Sequence, residues 1–512
     1  MDLGLGSLLD PWPDPFMTDT PRRRRPRRRR DSADNSRGES RGNPEHKSGS
    51  EPQGTLSHRE KRRAERRSER KEVRRPRKGS QIKAEVHKMH KDEIDPRALD
   101  RDARRVVTRL QQHGFEAYFV GGCVRDLLVG RRPKDFDVAT DATPHEIRRL
   151  FRNGRIIGRR FRLVHVHYGD NIIETSTFRC EPPEKKGDDD LLIIEDNEFG
   201  SAEEDAQRRD FTVNALFLNP STYEIHDWVE GMDDLESRLL RTIGDPMVRL
   251  AEDPVRILRA VKFATRLDFE IEEGTWQAMV ELAEHLGRSA PPRVLEEILR
   301  LLRSGSALGA MKMLRAARGL KVIFPELDER LGERDADDHE VQQRAALFWR
   351  LLEALDQRVH SGLEPSNALL LAVLFAPLVE KSFLPEHNQL DRLRIAEQCL
   401  ASTAESARLA KRDTGRAARI LANHPLFVMQ PEQRFSPLLF ALTSEFEESL
   451  AFFGLRVQAR GKGWDVFEAW EERLARALQA DEEELEGERK RVRGRRRTRR
   501  PHRGGRGRSK PG

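Results

Sequence analysis

Asp135 and Asp137 stand two residues apart in KDFDVAT, a run with the apolar alternation of a strand. On a strand, residues two apart project from one face, so the two carboxylates can hold divalent cations between them. A pair of Mg2+ ions held there would activate an attacking hydroxyl and stabilise a leaving pyrophosphate in an in-line displacement. Upstream lie Gly121-Gly122 and then Arg125-Asp126. A Gly-Gly turn that opens a helix offers backbone N–H groups and the positive dipole end to a triphosphate. The two features together point to nucleotidyl transfer. An isolated Asp-x-Asp is a weak signal, common on surface strands and loops; the Gly-Gly, Arg-Asp and Asp-Phe-Asp series is much sharper.

These residues need a rigid frame, and their neighbours predict one. EAYFVGGCVRDLLVG reads as a strand, a Gly turn and a short helix ending at Gly130. KDFDVAT is a second strand, TPHEIRRLFRN a helix, and RLVHVHYG and NIIETSTFR two further strands. Order begins near Asp95-Pro96, with a helix through LDRDARRVVTRLQQHG that Gly114 stops. Alternating strands and helices imply a small α/β head, placed at 96–233. Beyond Asp234 nearly every segment has helical period, as in PVRILRAVKFATRL and PPRVLEEILRLLRSG. The expected fold class is therefore α+β, with a helical neck over 234–305 and a helical body over 306–480. LLLAVLFAPL is apolar on all sides but only about half as long as a membrane span, which predicts a buried core helix.

Charge separates the ends from the middle. Residues 1–97 hold 27 Lys/Arg against 17 Asp/Glu, 481–512 hold 13 against 6, and the stretch between holds 54 against 64. With 35% charged residues and a mean hydropathy of −0.75, the chain is too polar to pack throughout, so 1–95 and 481–512 are expected to be disordered basic tails. Such tails attract RNA, DNA or ribosomes by counterion release without selecting among them. Three scattered cysteines, Cys123, Cys180 and Cys399, exclude a disulfide framework and a structural zinc site. The N-terminal stretch has the wrong order of charge and apolarity for a secretory signal. A cytoplasmic protein with no membrane partner is expected.

GGCVRDLLVGRRPKDFDVAT resembles the nucleotidyltransferase superfamily that includes polymerase beta, and within it the branch of bacterial poly(A) polymerases and CCA-adding tRNA nucleotidyltransferases. That resemblance implies a polymerase-beta-like head in which Asp135 and Asp137 are catalytic and hold two Mg2+ ions, with Gly121, Gly122, Arg125 and Asp126 at the nucleotide. EEDAQRRDFTVNALFL matches a family segment near the ribose and triphosphate, which makes Arg208, Arg209, Asp210 and Asn214 nucleotide-site residues. AEDPVRILRAVKFA resembles the family's nucleobase-reading motif, with Asp253 and Arg256 at i and i+3 on one helix face and Arg259 further along. Standing alone, Arg208-Arg209-Asp210 would read as a solvated charge run and Asp253/Arg256 as an exposed ion pair. For the third carboxylate, Asp210 is favoured as catalytic, and Glu174 on NIIETSTFR is kept as a metal-facing acid.

An Asp acceptor and an Arg donor suit adenine and cytosine alike, so that pair cannot separate poly(A) synthesis from CCA addition. GRIIGRRFRLVHVHYG, FGSAEEDAQRRDFTVNALF and the arginine-rich end resemble the poly(A) branch. The resemblance implies ATP as substrate, RNA 3′ ends as partner, a part in RNA turnover and a monomer, with RNA-decay or ribosome-associated proteins as candidate partners of the tails. The alternatives are a CCA-adding enzyme with unusual tails, a catalytically inactive RNA-binding regulator, and a ribosome- or nucleoid-associated basic protein. One departure is RCEPPEKKGDDDLLIIEDNE between Phe178 and Phe199, a charged segment shorter than in relatives.

Overall fold

The computed structural model describes residues 83–89, 94–158, 162–180, 198–332, 339–384, 386–406, 410–428 and 435–497. The alternating runs of the head form strands β1 (Glu85–Lys88), β2 (Ala117–Val120), β3 (Asp137–Thr140), β4 (Gly154–Ile157), β5 (Leu163–Tyr168), β6 (Asn171–Thr177), β7 (Phe217–Asn219) and β8 (Glu224–Asp227). They make one sheet in the order β1-β8-β7-β2-β3-β6-β5-β4. The central β3–β6 pair is parallel and its neighbours are antiparallel. A parallel pair needs a crossover, and the Pro144–Leu150 helix lies within it.

Strand alternation assigns the two faces of this sheet. On one, Phe119, Val138, Val164 and Ile173 pack beneath Ala103, Val106, Val107 and Leu110 of the Arg101–Gln112 helix. Asp100 caps that helix by accepting from the backbone N–H groups of Asp102 and Ala103. On the other face, Val120, Ala139 and Phe217 pack with Ala202 and Ala206 of the Ala202–Gln207 helix and with Ile243. Val138 is registered with Thr175, so Asp137 and Glu174 share this second face, away from the Arg101–Gln112 helix.

The neck and body are helical, as the periodicity predicts. The Asn367–Glu380 helix is buried from Ala368 to Ala376, the expected core helix, and no helix among the described residues is long and apolar enough to cross a membrane. Farther on, Phe427, Phe440, Phe446, Phe453 and Trp470 build a second core, in which Trp470 Nε1 donates to the Phe427 carbonyl at 3.0 Å.

Three elements depart from the sequence reading. The expected N-terminal disorder to residue 95 is interrupted by β1, which pairs with β8 from Glu85↔Asp227 to Lys88↔Glu224. It is a short, largely exposed edge strand, held by backbone pairing that composition does not reveal. The expected C-terminal disorder from 481 gives way to a helix over Glu482–Arg497, acidic in its first turn and basic after it. Ion pairs Arg489–Glu482, Lys490–Glu486 and Arg491–Glu488 run along it, so the charge pattern that suggests a solvated tail also suits a helix. Finally, Leu239–Leu240 and Glu270–Ile271 form a two-stranded parallel pair inside the region read as all-helical. Residues 1–82 and 498–512 of the tails, and 181–197 of the charged segment, lie outside the described residues.

Candidate active site

The Asp-Phe-Asp run behaves as its alternation requires, although the strand begins only at Asp137. Phe136 is buried between two exposed aspartates, its ring 5.2 Å from that of Phe119. Asp135 and Asp137 thus project together on the open side, where β6 places Glu174. Burial in the cleft, then the like charges of Glu174 and Asp135, outweigh Arg209 and push the Asp137 carboxyl up to about 6. Burial here means crowding of the carboxyl by protein, because the side chain as a whole stays open to solvent. Mutually repelling carboxylates around an open space, one of them held towards its neutral form, are what a cation would relieve. Their oxygen-only chemistry suits Mg2+. Among the described residues, no three acidic, His or Cys side chains are gathered tightly enough to hold a metal ion unaided.

The Gly turn sits beside this group. Gly121 has φ +76°, a conformation L side chains rarely adopt, and a Cβ there would stand 3.2 Å from Arg209 Nη1. Arg209 is half-buried. It donates to Asp205 Oδ2 through Nε at 3.2 Å and Nη2 at 2.9 Å, and to the Asn214 carbonyl through Nη1 at 3.2 Å. Its guanidinium lies 5.1 Å from the Phe217 ring. Fixed in this way, one cation lies close to the turn and acts on Asp137. Arg208 follows the Ala202–Gln207 helix as its C-terminal cap.

Arg125, Asp126, Asn214 and Asp210 are buried, each less than a tenth exposed. Arg125 donates to Asp126 Oδ1 through Nε at 2.9 Å and to Asn214 Oδ1 through Nη1 at 2.5 Å. Asn214 Nδ2 donates to Asp210 Oδ1 at 3.2 Å, and Arg259 donates to Asp210 Oδ2 through Nε at 2.7 Å. Asp126 Oδ2 in turn meets Arg266 Nη2 at 3.0 Å. The Gly-Gly segment, the Arg-Arg-Asp segment and the Val255–Leu267 helix are therefore joined in one buried network. Burial works to raise the Asp210 carboxyl, but the Arg259 charge and the hydrogen bonds from Asn214 and Arg259 win and hold it down at about 2. Asp210 is taken up by Arg259, Asn214 and the Phe211 N–H, and of the two candidates for the third acid it is Glu174 whose charge acts on Asp137.

Asp253 and Arg256 are not on one helix. Proline disfavours helical geometry in the residue before it, so Asp253, ahead of Pro254, is extended at φ −142° and ψ 87° and links the Pro246–Glu252 helix to the Val255–Leu267 helix. Arg256, in the first turn of the latter, donates to the Arg249 carbonyl at 2.6 Å and to Glu252 Oε2 at 3.3 Å. Asp253 Oδ2 accepts from Arg293 Nη2 at 2.9 Å. Its Oδ1 is buried without a hydrogen-bond partner, an acceptor that awaits a donor.

Sequence reasoning missed Arg249, Arg266 and Arg293. Arg249 Nη2 donates to the carbonyls of Arg208 and Arg209 at 2.8 and 3.1 Å, which fixes the Arg-Arg-Asp segment from the neck side. Arg266 could have been found, because Arg256, Arg259, Phe263 and Arg266 follow the helical spacing of one face. Arg293 lies 40 residues beyond Asp253 and leaves no local signal.

Comparison with known proteins follows the same outline. Residues 117–241 match the family described as the Poly A polymerase head domain, and 268–331 match one described as a probable RNA and SrmB-binding site of polymerase A. Poly(A) polymerase I of Haemophilus influenzae is 41% identical over 297 residues, 56% of this chain and 65% of that protein. A CCA-adding enzyme of a Geobacillus species is 35% identical over 255 residues, 49% of this chain and 60% of that protein. The chain thus spans less than two thirds of these relatives. The crystal structure of the Bacillus stearothermophilus CCA-adding enzyme in complex with CTP superposes with a TM-score of 0.54 at 26% identity, covering 74% of this chain and 81% of that one.

Proposed function

Because the chain belongs to the nucleotidyltransferase family that joins bacterial poly(A) polymerases and CCA-adding enzymes, we propose that it extends RNA 3′ ends without a template, taking AMP from ATP. The observation that carries the reading is the gathering of Asp135, Asp137 and Glu174 on one open sheet face, beside Arg209 and the Gly121-Gly122 turn. The terminal 3′-hydroxyl of the RNA attacks the α-phosphorus of the nucleotide, a phosphodiester forms, the bond to the β-phosphate oxygen breaks, and pyrophosphate leaves. Asp135, Asp137 and Glu174 would hold Mg2+, which would supply the charge that activates the hydroxyl and stabilises the leaving group.

The chain's own residues do the rest. Arg209 and the backbone N–H groups of the turn bind the triphosphate, while the Arg125–Asn214–Asp210–Arg259 network holds the turn and the neck in register. Asp253 Oδ1 accepts from the exocyclic amine of the base, and Arg256 donates to the adjacent ring nitrogen. The reaction takes place in the cytoplasm, where RNA ends and ATP meet, and it feeds RNA turnover.

Preference for ATP over GTP and UTP should follow from Asp253 and Arg256, since G and U present the reverse donor–acceptor pattern. Arg256→Ala should lose on the order of 1–3 kcal/mol of that discrimination. The choice of ATP over CTP has a different origin, the room left for the purine's second ring by the packing of neck on head. Incubation of wild type and Arg256→Ala with one RNA primer and each nucleoside triphosphate in turn is the test. A lengthening A tract from ATP supports the reading; a short C-containing end that stops replaces it with CCA addition, the activity named for the Geobacillus relative and for the CTP-bound structural neighbour. Full selectivity retained by Arg256→Ala would move base reading elsewhere.

The carboxyl of Asp137 gives the pH dependence its sign. A value raised to about 6 means that protons compete with the cation below that pH. At limiting Mg2+ the rate should fall as pH drops through about 6, and added Mg2+ should move the midpoint lower. A midpoint indifferent to Mg2+ would assign the acid limb to another group.

A further inference from the structure

The back of the head carries a second feature. Ala103, Val106, Val107 and Leu110 turn one side of the Arg101–Gln112 helix into the core, which leaves Arg101, Arg104, Arg105 and Arg109 exposed on the other. With Gln112 and His113 they line a shallow cavity of about 530 Å3. The Arg109 guanidinium lies 5.4 Å from the ring of Phe151, which caps the Pro144–Leu150 helix. That neighbouring helix and its end add exposed Arg148, Arg149 and Arg152. Among the described residues, Arg105 alone of these seven arginines has an ion-pair partner, Asp102 at 2.8 Å.

Elsewhere among the described residues some exposed arginines are ion-paired, Arg300 with Glu296 and Glu297, Arg476 with Glu484 and Arg489 with Glu482. Others, such as Arg238, Arg288 and Arg412, are not; what marks this face is that seven arginines lie on two neighbouring helices and their ends. Composition does not account for it, because residues 98–480 hold more acidic than basic side chains. Arg101, Arg105 and Arg109 follow one another at i, i+4 and i+8, a spacing at which like charges destabilise the helix. A surface kept for solubility mixes its signs, whereas a single-sign field attracts a polyanion. Successive arginines at i+4 are about 6 Å apart along the helix axis, a spacing comparable to that of phosphates along an extended nucleic-acid strand. Among the described residues the Phe and Tyr rings beside these arginines, Phe151 and Tyr168, are buried and half-buried, so contact is with phosphates and carries little base preference.

We propose that this arginine face binds the phosphate backbone of single-stranded RNA upstream of the 3′ end in the cleft, an inference that rests on RNA being the substrate. Register places Asp137 and Glu174 on the opposite face of the sheet, so the last few nucleotides occupy the cleft and only a longer strand reaches round the head. Affinity then depends on RNA length, while the chemistry at the 3′ end does not depend on this face.

The test uses the full chain and its Arg104→Gln/Arg148→Gln/Arg152→Gln variant, with a hexanucleotide and a thirty-nucleotide oligo(A), and measures binding against salt and extension with ATP. The long strand should lose affinity on the order of tenfold to a hundredfold, and its log-affinity versus log-salt slope should become shallower by about 2, given about 0.7 per phosphate contact on a single strand. Hexanucleotide affinity and its rate of extension should not change. Should the triple variant melt early, Arg104→Gln and Arg148→Gln singly should each flatten the slope by about 0.7. Equal losses for both lengths, or an unchanged slope for the long strand, overturn the proposal and leave an acidic protein as what this face meets. Failure of wild type to extend either strand with any nucleoside triphosphate would instead sink the proposed function, since the role of this face is read from binding.

Discussion

Asp137→Asn should lower nucleotide incorporation by ~10³-fold or more, while the folded protein holds or gains stability. Both halves follow from one observation. The carboxyl lies with Glu174 and Asp135 on the open sheet face and is pushed up to about 6, so these carboxylates repel one another and an amide removes that repulsion. The sign is that of a carboxylate raised above its ordinary value: its ionisation costs stability progressively as pH rises from about 4 to about 6, the cost is full and constant above that, and neutralisation relieves it. The same amide is a poor ligand for a hard cation and leaves charge at the transition state uncompensated. Asp135→Asn should behave alike. The check is a paired measurement of extension rate and thermal melting at pH 7.5. Activity within about tenfold of wild type for both variants would sink the assignment of these carboxylates to the metal. A melting temperature that falls would show that Asp137 is held by favourable contacts instead.

The head was legible because its strands alternate and its turns are marked. KDFDVAT, NIIETSTFR and the Gly-Gly turn could be placed by period and by residue type alone, and their register then brought Glu174 beside Asp137. What was not legible lies in pairings distant in sequence. Nothing local says that Arg259 will cross 49 residues to Asp210, or that Arg125 will spend its guanidinium on Asp126 and Asn214 inside the protein. A motif gives residue types in order, and the choice between touching a ligand and holding a neighbour is made by tertiary packing. Asp253 is a different case, for Pro254 stood in the sequence and its effect on the preceding residue breaks the helix that the AEDPVR run suggests. At the termini, disorder inferred from charge failed at β1 and at Glu482–Arg497 for one reason: charged residues do not oppose backbone pairing or helix formation when their signs are suitably arranged.

Asp210→Asn should act in the opposite sense to Asp137→Asn, with stability lost first. Its carboxylate accepts from Arg259 at 2.7 Å and from Asn214 at 3.2 Å, and the amide that replaces it removes the strongest counter-charge of Arg259, leaving only the weaker influence of Glu297 and Asp253. A depression from the ordinary 3.8 to about 2 corresponds to about 2 kcal/mol. Breaking a fully buried pair costs somewhat more, but the Arg259 side chain is 34% exposed, so water recovers part of it. The pH window has a definite sign. A carboxylate depressed in the folded state stabilises above its unfolded value and loses that contribution as pH falls through the folded value. The gap in unfolding free energy between wild type and Asp210→Asn should therefore be full at pH 7 and above pH 4, and should close between about pH 4 and pH 2. Urea titrations at a series of pH values measure it. Mn2+ affinity, followed in parallel, separates the two tasks: it should survive Asp210→Asn, in which the acids around Asp137 are intact, and fall in Glu174→Gln. Should Asp210→Asn melt like wild type yet bind no Mn2+ and add no nucleotide, Asp210 would be the third metal-holding carboxylate, and Glu174 the neighbour that tunes it.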